Sequence, residues 1–226
     1  MSRGSRGNST AEAAAEPPSD VGRACRRQRR LGATAIVCVV SGLGALLYCA
    51  WVVIGAALYQ RDSRNTLQQL RERSLSSMAS ASHGARVQSL LVSAPAEGSP
   101  LADLQIPRIG LSVMVLEGTG ARTLRLGAGH ESRTALPGAD GNVVLAAHRD
   151  TFFRSLRDIR VGDLVKLDSP GGTFNYQVIW TRVVPPEDTA SLQPSRSPIL
   201  TLVTCYPFYY IGPAPERFVV RARRLN

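Results

Sequence analysis

Three regimes of hydrophobic patterning follow one another along the chain. From Leu31 to Tyr59 no charged residue interrupts a run of Ala, Val, Ile, Leu, Gly and aromatic side chains. About 20 apolar residues carry a helix across the hydrocarbon core of a bilayer, so residues 31–59 predict one transmembrane helix, long enough to cross with tilt. Leu67, Leu70, Leu75 and Met78 then fall roughly on one helical stripe, with Arg71, Glu72 and Arg73 between them. That spacing predicts a juxtamembrane helix. Residues 76–100 turn to Ser, Ala, Gly and Pro, the composition of a flexible tether, and segment 60–100 is read as helix plus linker. From Leu101 onward the apolar runs become short and β-branched. They predict strands at Ala102–Ile106, Ser112–Leu116, Asn142–Ala147, Leu164–Leu167, Thr173–Val184, Ile199–Thr204 and Arg217–Arg221. Pro-Gly, Asp-Gly, Gly-Asp and Pro-Gly-Gly clusters separate them. Phe152 to Ile159 and the segment from Arg122 suit short helical turns. Short strands with frequent turns argue an all-β domain, closed or sandwiched, over 101–226.

Residues 1–30 hold almost no large apolar side chain and are expected to be a disordered basic tail. Five arginines, Arg23, Arg26, Arg27, Arg29 and Arg30, stand directly before the apolar run, whereas the flank after it, Arg61-Asp-Ser-Arg64, is mixed. The excess of cationic residues on the first flank places the N-terminus in the cytoplasm and the β domain outside. A cleaved signal peptide is the competing reading, but its apolar region normally spans only about 7–15 residues.

The formal net charge is +10, and Lys166 is the only lysine. Such a balance suits nucleic acid, anionic lipid or an acidic wall polymer. No zinc-ligand spacing, helix-turn-helix pattern or aromatic-basic platform accompanies it, so no nucleic-acid partner is expected. A solvated basic surface explains the charge equally well.

Four cysteines are present. Cys25 lies among the N-terminal arginines and Cys38 and Cys49 lie in the apolar run, leaving Cys205 alone in the β domain. An exported domain with one cysteine forms no internal disulfide, and an unpaired thiol outside the cytoplasm is unusual. The plain alternative is a buried, inert cysteine. Cys205 follows the apolar run Ile199–Thr204, which must stop by Pro207 because proline donates no ladder hydrogen bond. His148 ends another apolar run, Asn142-Val-Val-Leu-Ala-Ala. Arg217 opens the run Phe218-Val-Val-Arg-Ala. A thiol, an imidazole and a guanidinium thus stand at strand ends, and neighbouring strands lie about 5 Å apart. These are the groups that acyl transfer through a thioester requires: a nucleophile, a proton carrier for the amine, and a cation for the carbonyl oxygen.

These residues resemble the sortases. The resemblance is carried by Thr201-Leu-Val-Thr-Cys205, by His148 in Ala-Ala-His-Arg-Asp-Thr-Phe-Phe, and by Arg217 in Pro-Glu-Arg-Phe-Val-Val-Arg-Ala. It runs from about Leu104 to Ala222, includes Ile106-Pro-Arg-Ile-Gly-Leu and Gly129-His-Glu-Ser-Arg-Thr-Ala-Leu-Pro-Gly138, and within the family is most like class D. It implies an eight-stranded β-barrel with short helices behind one N-terminal transmembrane helix. It also implies a membrane-anchored cysteine transpeptidase that cuts a Leu-Pro-x-Thr-Gly-like C-terminal sorting signal on secreted proteins. The protein would then pass to an amine acceptor such as a peptidoglycan precursor. Cys205 would be the nucleophile, His148 the acid and base, and Arg217 the oxyanion or substrate-orienting group.

His130, in Gly129-His130-Glu131, is the rival histidine, placed at the substrate pocket or in a structural role. Thr204 supports the site through its hydroxyl or fills the strand. Tyr206, with Phe208, Tyr209 and Tyr210, walls a peptide groove or packs the loop. Arg149 and Asp150 pair near His148 or cap the turn after it. No cofactor is expected. Glu187 and Asp188 lie where some sortases hold calcium, but two acids are too few for a site. No Asp-x-aromatic lid of the pilus-building sortases precedes the barrel. Two further readings stay open: a peptidase that only hydrolyses the acyl-enzyme, and a silent β-barrel that binds wall polymer or protein. A wall-crosslinking L,D-transpeptidase would carry a Ser-His-Gly-Cys cluster, which is absent.

Overall fold

Residues 20–80 and 94–225 are described by the computed structural model. The chain divides into two compact units, Met1–Val52 and Val53–Asn226. Helix α1 spans Asp20–Ser80. It begins well before Leu31, so residues 20–30, expected to be disordered, are helical; Ala, Arg and Gln carry little helix penalty. The rest of the expected tail, 1–19, lies outside the described residues. From Ile36 to Leu58 the apolar side chains are exposed on every face; Leu46 is 69% and Trp51 72% exposed. A helix apolar all round and covered by no protein has the length and composition to cross a membrane.

The second unit is a closed barrel. Its strands are β1 (Pro100–Ile106), β2 (Leu111–Glu117), β3 (Ala128–His130), β4 (Asn142–Ala146), β5 (Leu164–Ser169), β6 (Gly172–Val184), β7 (Ile199–Tyr206) and β8 (Glu216–Arg224). The order around the barrel is β1-β2-β3-β4-β7-β8-β6-β5, closed by pairing of β5 with β1. The seven expected strands are all present, most of them longer by one to three residues than the apolar run alone suggests. The eighth, β3, has only three residues and pairs parallel to β2 and antiparallel to β4. Its Ala-Gly-His sequence carries no strand signal. Gly129 is there because a Cβ would stand 2.4 Å from the Gly118 carbonyl oxygen, which only a hydrogen side chain permits.

Alternation sorts the side chains. Leu104, Val113, Leu145, Leu167, Val178, Leu200, Leu202 and Val220 fill the barrel interior, which at eight strands is just wide enough for side chains alone. Phe153, Leu156 and Ile159, around the 3₁₀ turn Arg154–Asp158, extend that core. Helix α2 (Ala121–Leu126) links β2 to β3. In β6 an irregular register between Val178 and Trp180 brings Trp180 beside Arg221 on the outer surface.

The helical segment just after the apolar run, ahead of the expected tether, makes contacts of its own. Within the second unit, α1 residues from Tyr59 to Leu67 dock on the barrel wall. Gln60 Nε2 donates to the Leu126 carbonyl at 2.6 Å, and its Oε1 accepts from the Met114 amide at 2.9 Å. The Tyr59 hydroxyl donates to the Gly98 carbonyl, and Arg64 reaches Ser112 Oγ at 2.8 Å. Leu67 completes a small cluster with Met114 and Leu116. A polar side chain here closes two backbone valences of the barrel unit, so the stretch Tyr59–Leu67 packs as part of that unit. The remainder of the expected linker, 81–93, lies outside the described residues.

Candidate active site

The sequence ends β7 at Thr204; in the structure the strand continues through Cys205 to Tyr206, and the following Tyr206–Pro207 peptide is cis. Strand β4 lies parallel to β7 with Ala146 opposite Val203. The alignment persists past the ladder: the Ala147 amide donates to the Val203 carbonyl, and Thr204 Oγ1 donates to the Ala147 carbonyl at 2.8 Å. His148 therefore emerges beside Cys205. On the other flank β8 runs antiparallel to β7, with Arg217 directly opposite Cys205. Ala147, Leu202 and Val220 point into the core, so alternation turns His148, Cys205 and Arg217 to the same outer face. His148 is exposed, and Cys205 and Arg217 are half-buried. Parallel pairing of β4 with β7 brings two strand ends level, and the β7–β8 ladder adds Arg217 on the far side of Cys205.

Arg217 is held in place. Its Nη1 donates to the carbonyls of Ala214 at 3.2 Å and Glu216 at 3.0 Å. The other guanidinium nitrogens remain for a ligand, and the fork geometry is fixed by the loop. Val184 of β6 lies across from Arg217. It belongs to a groove of about 590 Å³ on this outer face, lined also by Trp180, Arg182, Glu187, Asp188 and Arg221. The outer wall of the groove is the β6–β7 connection. Asn142 pins that connection: its Nδ2 donates to the Ser191 and Gln193 carbonyls at 3.0 Å each, while Thr201 Oγ1 donates to its Oδ1 at 2.7 Å. Asn142 reads in the sequence only as a strand's first residue; nothing local marks it as a strut.

The other expected site residues fall differently. His130 is 1% exposed. Its Nδ1 meets Glu117 Oε2 at 2.8 Å and its Nε2 meets the Ala135 carbonyl at 2.9 Å. With both ring nitrogens engaged inside the wall, it joins β2, β3 and the loop before β4, the structural one of the two expected places. Thr204 is 3% exposed and its hydroxyl donates to the Ala147 carbonyl, tying β7 to the segment that leads to His148. Tyr206 is half-buried in an aromatic cluster, 6.0 Å from Phe208 and 6.3 Å from Phe218 between ring centroids. That cluster adjoins the barrel core. Arg149 does not pair with Asp150: its Nη2 donates to the Tyr210 and Gly212 carbonyls in the loop after Cys205. Asp188 accepts from the Ala190 amide and Ser191 Oγ, which ties both of its oxygens to the turn. Among the described residues no three His, Cys, Asp or Glu side chains gather as metal ligands.

With this geometry established, comparison with known proteins gives a consistent result. A family model described as the sortase domain matches residues 104–225. Sortase D of Bacillus subtilis (strain 168) is 36% identical over 134 residues, covering 58% of this chain and 67% of the relative. Among solved structures, a sortase D5 transpeptidase from Clostridium perfringens superposes with a TM-score of 0.59 at 25% identity, covering 74% of this chain and 99% of that one. A lid mutant of sortase A from Corynebacterium diphtheriae gives 0.54 at 30% identity, covering 72% and 94%.

Proposed function

The chain belongs to the sortase family of cysteine transpeptidases, and from that premise we propose that Cys205 is the nucleophile, His148 the acid and base, and Arg217 the cation of the acyl transfer. The observation that carries the reading is the register: Arg217 lies opposite Cys205 across β7–β8, and the parallel β4–β7 ladder, ending with Ala146 opposite Val203, leads His148 out toward Cys205 on the same outer face.

The chemistry follows from the arrangement. The Cys205 sulfur attacks the carbonyl carbon of the scissile peptide bond, and negative charge develops on the carbonyl oxygen. Arg217, which keeps its charge and presents a rigid fork, stabilises that charge or orients the substrate backbone. The C–N bond breaks as His148 gives a proton to the departing amine, leaving a thioester on Cys205. An incoming amine then attacks the thioester while His148 takes its proton, and the thiolate leaves. His148 is exposed, which leaves both amines free to reach it from solvent.

The substrate is a secreted protein ending in a Leu-Pro-x-Thr-Gly-like sorting signal, and the acceptor is an amine such as that of a peptidoglycan precursor. The groove along β6 and the β6–β7 connection, which reaches Val184 across the ladder from Arg217, supports binding of an extended peptide. Residues 31–59 anchor the chain in the cell membrane in a single pass. Five arginines before that run support a cytoplasmic N-terminus and an extracytoplasmic barrel.

Mass spectrometry of Cys205 after incubation with a library of sorting-type peptides tests the reading. The expected result is a thioester adduct on Cys205, absent in Cys205→Ala, and a product that changes when an amine is added. Turnover without any adduct on Cys205 would sink the assignment. A product indifferent to added amine would make the enzyme a hydrolase.

A further inference from the structure

Resting on that reading of the site, we propose that Arg149 is a positioning residue for the acyl transfer, clamping the loop that joins Cys205 to Arg217 against the segment that carries His148. Arg149 follows His148 directly in the chain. Its Nη2 donates to two carbonyls of the loop after Cys205, Tyr210 and, at 3.1 Å, Gly212. Its guanidinium also lies 5.8 Å from the centroid of the Tyr210 ring.

The same loop aims Arg217. The carbonyls of Ala214 and Glu216, a few residues further on, accept from Arg217 Nη1. One connection between β7 and β8 therefore has its carbonyls held by two guanidiniums. Arg149 fixes the loop to the His148 side, and the loop in turn fixes Arg217 opposite Cys205. A second contact runs in parallel: Arg157 Nη1 donates to the Tyr209 hydroxyl at 2.7 Å, with its guanidinium 5.6 Å from that ring. Phe208 anchors the start of the loop on the barrel core, and the stretch beyond it is open. Tyr209, Tyr210 and Gly212 are exposed, and Ile211 is 98% exposed. Without Arg149 the segment would keep its strand ends and lose its register above the site.

Reacting groups displaced by about 1 Å lose up to about a hundredfold in rate, and that sets the size of the effect. In the full-length protein in detergent micelles, Arg149→Met is expected to lower the rate constant for acylation of Cys205 by a sorting-type peptide about ten- to a hundredfold. KM should stay near the wild-type value, because the groove along β6 is untouched. Arg149→Lys, whose ammonium can still reach two carbonyls, should recover part of the rate. Tyr210→Leu keeps the carbonyl and should act nearly as wild type, and Arg154→Met serves as the control for loss of an exposed cation. Hydrogen exchange across 207–215 should quicken in Arg149→Met alone.

Wild-type acylation in Arg149→Met overturns the clamp, as does a loss confined to KM. So does a rate loss matched by a fall in melting temperature with no recovery in Arg149→Lys, which would make the contact a stability element only. The failures are distinguishable: no adduct on Cys205 in the wild-type chain sinks the reading of the site and the clamp together, whereas unchanged acylation in Arg149→Met sinks only the clamp.

Discussion

Arg217 stands directly across the antiparallel β7–β8 ladder from Cys205, and its Nη1 is tied to the Ala214 carbonyl of the loop that connects them and to the Glu216 carbonyl at the start of β8. The cation is thus placed by the strand register and aimed by its own loop. A lysine at this position keeps the charge but lacks the planar fork that can hold the loop with one nitrogen and face a substrate with another. Arg217→Lys is therefore expected to lower kcat/KM by about a hundredfold, within the range seen on loss of one oxyanion donor, with the fold intact by circular dichroism. Full activity in this variant would remove the oriented-fork role.

The two barrel histidines should separate cleanly. His148 is exposed, so His148→Ala should abolish turnover and leave the melting temperature almost unchanged. His130 is enclosed with Glu117, which is itself 6% exposed. Removing one partner of a buried hydrogen-bonded pair leaves the other unsatisfied and costs about 1–3 kcal/mol. His130→Ala should therefore unfold at markedly lower temperature or denaturant, and its activity should fall only as folded protein is lost. A stable, inactive His130→Ala would reverse the two roles.

Docking of α1 predicts that Gln60 matters to the barrel. Gln60→Leu keeps much of the volume and leaves the Met114 amide and the Leu126 carbonyl without the partner they have here. Each buried backbone group so exposed costs about 1–3 kcal/mol. The expected loss is about 2–4 kcal/mol on the same scale, read as the denaturation midpoint of full-length protein in detergent. A midpoint equal to the wild type would return this segment to the role of spacer.

Acid sensitivity should centre on Asp163. The Arg108 guanidinium, donating to both of its carboxylate oxygens, holds its pKa below the usual aspartate value, and the Arg160 amide adds a further donor. A carboxylate whose folded pKa is depressed contributes stability that is present above the unfolded value, about 3.9, and is lost as pH falls through the folded value. Thermal scans should show the wild type losing stability as the medium is acidified below about pH 4. Asp163→Asn should be less stable at neutral pH by about 2 kcal/mol, as for a hydrogen bond to a charged group, and less responsive to acid. An identical acid profile in the variant would place the sensitivity elsewhere.

Much of this was legible from the residues in order. The apolar run 31–59 and the short β-branched runs report their own local environments, because burial in lipid or on one face of a strand selects side chains residue by residue. Cys205, His148 and Arg217 were legible as strand-end chemistry for the same reason: each terminates or opens an apolar run. Where the reading missed, the cause was non-local. β3 forms from Ala-Gly-His because β2 and β4 flank it, not because those residues favour a strand. Gln60 is an ordinary polar helix residue until Met114 and Leu126 approach it, and His130 looks like a loop histidine until Glu117 closes on it.

By itself, then, the order of residues determined which segments are apolar, where strands start and stop, and which reactive groups stand at their ends. The tertiary structure alone decided that β4 and β7 lie parallel and level, that Gln60 binds the barrel unit, and that Arg149 spans from His148 to the loop before Arg217. Hydrophobic period is a property of neighbours in the chain. Register between strands, and the partner a polar side chain finds, depend on residues tens of positions away, and those are chosen only when the barrel closes.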